Sequence, residues 1–264
     1  MQYDNIKRSL GRLFNRHPFL RKRFYGTLDL LLLRAWHIKK ELRQLRKILP
    51  EDAKILDAGA GFGQYTHYMS KLGRNWQIKA VDIKDEQVDD CNRFFAQTGR
   101  ADRVRFEVAD LTKFNEPEKY HLEISIDVME HIPDDAAVFR NIYVSLRRGG
   151  ILLLSTPSDK AGKHSGSFID EHVRDGYSAE EIRDKLTEAG FSQIDILYMY
   201  GRPGHISWLL SIKYPMLALG ITKFFFVLLP VYYMAVLPFC LLLNFWDVNA
   251  HHQSGKGLKI KAVK

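Results

Sequence analysis

Hydrophobic and polar positions divide the chain into four regimes. Residues 1–50 repeat Leu, Phe and Tyr at helical spacing among Arg and Lys, which predicts helices broken near Pro18 and ended near Pro50. Residues 51–202 alternate short apolar runs with amphipathic stretches. That pattern predicts strands at 53–57, 76–82, 104–108, 121–127, 150–155 and 191–198, with helices at 64–72, 85–97, 134–146 and 178–189. The last helix has Ser178 as N-cap, Glu181 at the capping-box position and Gly190 as its stop. Residues 203–247 are overwhelmingly apolar, and residues 248–264 return to polar sequence before an alternating run, Leu258 to Val263, that predicts a seventh strand. The pattern implies an α/β fold in three parts: a basic helical segment (1–50), a sheet domain (51–202 plus 248–264) and an apolar helical insertion (203–247). There is no internal repeat.

The chemistry concentrates where the first strand meets the first helix of the sheet domain. Ile55-Leu56-Asp57-Ala58-Gly59-Ala60-Gly61-Phe62-Gly63 runs a strand into a glycine-rich turn that a ligand can approach closely. The spacing is GxGxG rather than the GxGxxG of a dinucleotide pyrophosphate site, and Asp57 precedes it. A carboxylate repels a pyrophosphate and attracts a ligand ammonium. Asp82, at the end of the second strand, suits two ribose hydroxyls. Asp110 and Leu111 follow the third strand, an acceptor for an adenine amino group beside an apolar cover for its ring.

This ordered series resembles the class I S-adenosylmethionine-dependent methyltransferases, in particular the group that acts on small molecules and lipid precursors. The resemblance rests on ILDAGAGFG (55–63), VDI (81–83), VADL (108–111), DVMEHIPDD (127–135) and RRGGILLLSTP (147–157), and covers residues 50–200 with the last strand returning at 258–263. It implies a Rossmann-like seven-stranded methyltransferase sheet, with N-terminal helices and the apolar insertion before the last strand. It also implies S-adenosylmethionine as cofactor. Asp57, Gly59, Gly61 and Gly63 would then line the methionine end, Asp82 the ribose and Ile83 the adenine. Asp110 and Leu111 would meet the adenine amino group and ring, and Asp127 would lie beside the sulfonium.

Methyl transfer needs a general base only when the acceptor is a protonated hydroxyl. His131, just after the fourth strand, is the candidate base, against a reading in which Glu130 and His131 only cap a helix or shape the pocket. Glu130, His172, Arg174 and Tyr177 are the candidate substrate contacts, against a reading in which His172 and Arg174 merely order their loop. His164, Asp170 and His172 make no convincing metal set.

The insertion adds a second theme. Residues 224–246 carry no charge, long enough to reach across a bilayer core, while Pro230 and Pro238 argue against one straight helix. If the last strand rejoins the sheet, both ends of the insertion lie on one side, and a single span is impossible. A two-helix hairpin remains, crossing twice or dipping into one leaflet, and its lysines and prolines favour the monotopic form. The soluble alternative covers the active site or forms a dimer interface.

Composition narrows the classes further. The 264 residues are 46% hydrophobic and 27% charged, which excludes a disordered tail, a collagen-like repeat and a polytopic membrane protein. Cys91 and Cys240 cannot build a disulfide framework and fit a reducing compartment. The net charge of +8 lies entirely at the N-terminus, where residues 1–50 hold thirteen Lys or Arg against three acids. Arg12, Arg16, Arg21, Lys22 and Arg23 beside Phe14, Phe19, Phe24 and Tyr25 suit anionic lipid headgroups; the alternative is a solvated helix lidding the domain. The leading reading is a methyltransferase at the cytoplasmic face of a membrane, acting on a lipophilic acceptor at oxygen. The alternatives are a soluble methyltransferase of a small polar metabolite and a non-catalytic membrane-associated S-adenosylmethionine-binding protein. A nucleic-acid substrate is disfavoured, because Asp127-Val128-Met129-Glu130-His131 lacks the Pro-Pro-aromatic pattern of adenine amino methylation.

Overall fold

The computed structural model describes residues 17–161, 173–222 and 224–264. Seven strands form one sheet: β1 (Lys54–Ala58), β2 (Gln77–Asp82), β3 (Val104–Val108), β4 (Tyr120–Ile126), β5 (Leu146–Pro157), β6 (Ser192–Met199) and β7 (Gly257–Val263). Their order is β3-β2-β1-β4-β5-β7-β6, all parallel except β7, which runs antiparallel between β5 and β6. Central strands read as continuous apolar runs because helices cover both faces. Leu152, Leu153 and Leu154 of β5 are all fully buried. The fifth strand is longer than its apolar run suggested, because Arg147–Gly150 extends it past the edge of the core at a register shift between Tyr120 and Leu122.

One face of the sheet carries α1 (Pro18–Leu31), α2 (Leu33–Leu45), α3 (Gln64–Leu72) and α4 (Asp85–Gln97), whose Tyr25, Ile38, Leu42, Met69 and Phe95 share one core with the sheet. The other face carries α5 (Asp135–Ser145) and α6 (Ala179–Glu188), packed through Val138, Phe139, Ile182 and Leu186. Ser178 caps α6 by accepting from Glu181 N at 3.0 Å. Pro18 occupies the first turn of α1, where its missing N–H is unneeded; the residues before His17 lie outside the described ones. Within the described helices a break falls at Leu32, which turns into extended backbone (φ −89°, ψ 106°).

The N-terminal helices are part of the domain. Arg21 and Tyr25, expected among lipid headgroups, are each only 2% exposed. The Arg21 guanidinium donates to Asp90 O, Phe62 O, Cys91 Sγ and Tyr25 Oη, so these two side chains pin α1 across the glycine turn. Lys22, Arg23 and Phe19 remain on the surface, and Arg12, Arg16 and Phe14 lie outside the described residues.

Between β6 and β7 the chain makes a helical hairpin. α7 (Arg202–Trp208) passes through a π-helical turn (Leu209–Lys213) into α8 (Tyr214–Ile221), and α9 (Phe225–Asn249) returns. α9 is one continuous helix through both Pro230 and Pro238. The opposing arm shows how such a run tolerates proline. Pro215 cannot donate to the carbonyls behind it, and the Tyr232 and Tyr233 hydroxyls donate instead to Leu210 O and Ser211 O, each at 2.7 Å.

Candidate active site

Strand order reverses between β1 and β4, and an open α/β sheet binds ligands in the crevice at such a reversal. Four of the predicted acids stand along this edge: Asp57 in β1, Asp82 ending β2, Asp110 after β3 and Asp127 after β4. Between them the glycine turn is tightly wound. Gly59, Gly61 and Gly63 have φ of 83°, 51° and 74°, the left-handed region that costs other residues strain. Gly59 N and Ala60 N both donate to Val81 O, which fixes the turn against β2. A Cβ on Gly59 would sit 2.4 Å from Val128 Cγ2, whereas one on Gly61 would meet nothing nearer than Gln87 Oε1 at 3.9 Å. The turn is therefore packed shut behind Gly59 and open in front of Gly61.

The acids differ in electrostatic state. Asp57 is 3% exposed and accepts from Thr66 Oγ1 at 2.5 Å; burial pushes its carboxyl up to about 7 despite that bond. Asp82 accepts from Gly61 N at 2.8 Å and from Lys84 N at 3.0 Å, so it links the turn to the second strand. Ile83, beside it, is 69% exposed, an uncovered apolar side chain at the lip of the crevice. Hydrogen bonds from Thr112 hold the Asp110 carboxyl below its usual range, with Leu111 buried next to it. These features fit S-adenosylmethionine. A buried acid, Asp57, stands beneath the turn where a methionine end would lie, an acid ends β2 with an exposed apolar residue beside it, and the glycine cradle is open where a side chain would otherwise intrude.

Asp127 brings in a residue that sequence reasoning missed. It has φ 52°, accepts from Ser155 Oγ at 2.8 Å and forms an ion pair with Arg34 of α2. About a quarter of each side chain remains exposed. Arg34 Nε also donates to Tyr65 Oη at 3.3 Å, and its backbone N–H to Tyr200 Oη at 3.1 Å. Burial alone would lower the Arg34 pKa, but Tyr65, Tyr200 and Glu130 raise it above its ordinary value. The only sequence signal was a basic residue on the predicted helix, and helical spacing does not say which of thirteen cations turns inward.

Glu130 and His131 lie on a 3-10 turn, Met129–His131, directly behind Val128. Glu130 is 1% exposed and accepts from Thr156 Oγ1 at 3.3 Å; burial pushes it up to about 7, with Arg34 and Thr156 opposing. His131 is half-buried at the end of the same turn, its N–H on Val128 O. Arg174 and Tyr177, expected to touch substrate, are engaged elsewhere. Arg174 donates to Asp135 Oδ2, Ile132 O and Pro133 O. Tyr177 is fully buried and donates to Asp135 Oδ2 at 2.7 Å. Both therefore clamp the start of α5, because a buried carboxylate there requires donors. His172 and His164 lie outside the described residues.

The root of the hairpin reaches this site. Asp247 near the end of α9 is fully buried and accepts from His37 Nε2 at 2.8 Å, Gly204 N at 3.0 Å and Tyr200 N at 3.3 Å. Tyr200 in turn contacts Arg34, so α2, the hairpin and the crevice share one polar network.

Residues 49–199 match the model of a methyltransferase domain. The chain is 31% identical over 160 residues to a phosphoethanolamine N-methyltransferase of Triticum aestivum, covering 59% of this chain and 31% of that protein. It is 29% identical over 163 residues to a ubiquinone biosynthesis O-methyltransferase of Xanthomonas euvesicatoria pv. vesicatoria (strain 85-10), covering 57% and 67%. The chain thus spans under a third of the length of the phosphoethanolamine relatives it matches. A Haemonchus contortus phosphoethanolamine N-methyltransferase 2, solved with phosphomonomethylethanolamine and S-adenosylhomocysteine, shares the fold with a TM-score of 0.57 at 19% identity, over 86% of this chain and 52% of that one.

Proposed function

Because the chain belongs to the class I S-adenosylmethionine-dependent methyltransferases, we propose that it methylates an oxygen of a lipophilic acceptor held in a membrane. The cofactor supplies an activated methyl group, and the protein supplies binding, orientation and electrostatics. Asp57 and the glycine turn hold the methionine end, Asp82 and Ile83 the nucleoside, and Asp110 with Leu111 the adenine. His131 is the proposed base for the acceptor hydroxyl. Glu130, with its pKa near 7, is the neighbouring group able to hold the proton.

The observation that carries this reading is the hairpin. Phe226 is 70% exposed, Val231 62%, Met234 74% and Ile221 81%, a continuous apolar face of the kind that marks an interaction site. From Phe225 to Phe239 no residue of α9 is buried, and Cys240 is the first that is. At about 1.5 Å per residue the free part measures roughly 22 Å, short of the roughly 30 Å hydrocarbon core. It suits entry from one side without a full crossing, confined to about one leaflet when tilted. Lys213 points back toward Trp208, 5.9 Å from its ring, as a cation does when its helix is sunk and its charge reaches for the interface. The polar network through Asp247 and Tyr200 ties the crevice to the hairpin root, which supports lateral entry of an acceptor from the membrane.

The test incubates the full chain with methyl-labelled S-adenosylmethionine and membrane or aqueous extracts, with Asp57→Ala as control. Label that enters the organic phase and disappears with Asp57→Ala supports the reading. Label confined to the aqueous phase replaces it with a small polar acceptor, the reading favoured by the phosphoethanolamine relatives, with the hairpin as a dimer contact.

A further inference from the structure

Where α2 passes the root of α9, a groove of about 470 Å³ opens, lined by Asp29, Trp36, Lys39, Lys40, Arg43 and Phe245 among others. We propose that this groove binds the phosphate of an anionic phospholipid headgroup, so that hairpin insertion and headgroup capture act together. The inference rests on the hairpin entering a leaflet.

Depth comes first. Phe245 and Asn249 follow Cys240, where the free part of α9 ends, by five and nine residues. At about 1.5 Å per residue they sit roughly 7–14 Å rootward, at the level of the headgroup layer when the apolar part is sunk. Charge comes second. Lys39 is neutralised by its ion pair with Asp29. Lys40 and Arg43 have no carboxylate partner among the described residues. The Lys40 ammonium donates to two neutral acceptors, Val248 O and Asn249 Oδ1, both at 2.9 Å, and a lysine has three donors. Arg43 donates to Tyr68 Oη at 3.3 Å and is otherwise exposed. Two unneutralised cations thus face one groove, each with donors to spare. Trp36 and the 58%-exposed Phe245 line it, and Trp246, 53% exposed, stands next to it on α9. Aromatics of this kind sit where one end of a side chain is apolar and the other wet. The competing reading is that Lys40 only satisfies the last carbonyls of α9; that role has no dependence on lipid charge.

The experiment measures partition of the full chain onto phosphatidylcholine vesicles and onto an equal mixture of phosphatidylcholine and phosphatidylglycerol, at low and high salt. The variants are Lys40→Gln/Arg43→Gln and Phe226→Ser/Met234→Ser, each checked for unchanged S-adenosylmethionine affinity. The wild type should prefer the anionic vesicles, and the cation variant should lose about thirtyfold of that preference at low salt while binding neutral vesicles as before. The apolar variant should lose binding to both. Equal wild-type binding to the two vesicles overturns the headgroup site and leaves insertion standing, as does a cation variant that keeps the preference. A wild type that binds neither vesicle overturns insertion itself and the inference with it.

Discussion

Gly59→Ala tests the packing of the cofactor turn most directly. The new Cβ would stand 2.4 and 2.8 Å from the two methyls of Val128, at a backbone φ of 83°. Two costs are therefore expected: about 1–2 kcal/mol for a left-handed alanine and about 1–3 kcal/mol for overpacking. Little relaxation is available, because Gly59 N and Ala60 N are both tied to Val81 O. A total near 3 kcal/mol corresponds to a fall of roughly 6–12 °C in Tm for a chain of this size. Gly61→Ala is the internal control, since its Cβ would meet nothing within 3.9 Å and only the backbone cost applies. That methyl would project into the open cradle, so Gly61→Ala should lose more cofactor affinity per unit of lost stability than Gly59→Ala. Adding Val128→Ala to Gly59→Ala should recover the overpacking part as a favourable coupling of about 1–3 kcal/mol in a double-mutant cycle. The assays are urea unfolding and calorimetric titration with S-adenosylmethionine. A cycle with no coupling, or a Gly59→Ala protein as stable as wild type, would refute the argument that Val128 closes the back of the turn. Val128 also precedes the turn that carries Glu130 and His131, so a displaced Val128 should lower kcat beyond the loss in cofactor binding.

Three further outcomes are expected. Asp57 and Glu130 are each pushed up to about 7 by burial, so the cofactor-free protein holds protons that the unfolded chain has released above about pH 4; its stability should fall between pH 4 and 7 and level off above, and Asp57→Asn/Glu130→Gln should flatten that slope in urea titrations. Tyr177→Phe removes a donor to the buried Asp135 and should cost about 1–3 kcal/mol of stability without changing the KM for acceptor; a raised KM with unchanged Tm would restore Tyr177 to the substrate site. Tyr233→Phe orphans Ser211 O and should reduce helix content or protease resistance of the hairpin, read by limited proteolysis, while cofactor affinity is unchanged.

What the sequence made legible was local. Strand, glycine turn and helix follow each other within residues 54–72, and Asp57, Asp82 and Asp110 each sit where a strand stops, so periodicity and punctuation located them. What it hid depends on distant partners. Arg21 reads as one more surface cation, yet its donors find Phe62 O and Cys91 Sγ, 41 and 70 residues away. Asp247 reads as the polar end of an apolar run, yet it closes a network with His37, 210 residues away. Arg174 and Tyr177 read as loop chemistry because nothing in their own segment reveals that Asp135 is buried and needs them. The prolines of the hairpin show the same dependence: propensity prices a proline in isolation, yet beside Pro215 the opposite arm supplies replacement donors, Tyr232 and Tyr233, from more than twenty residues away.

The place of β7 also sets an order of events during synthesis. It is an interior strand, hydrogen-bonded on both sides, yet it follows the hairpin in the chain. Until the hairpin has been made, β5 and β6 present unpaired edges, and β5 carries the buried run Leu152-Leu153-Leu154 beside one of them. Exposed edges of that kind invite wrong pairing. If the hairpin enters a leaflet as proposed, it is made, and free to be buried, before β7 emerges, leaving the sheet gap as the last vacancy to fill. Completion of the domain would then become a record that the hairpin has already found its place.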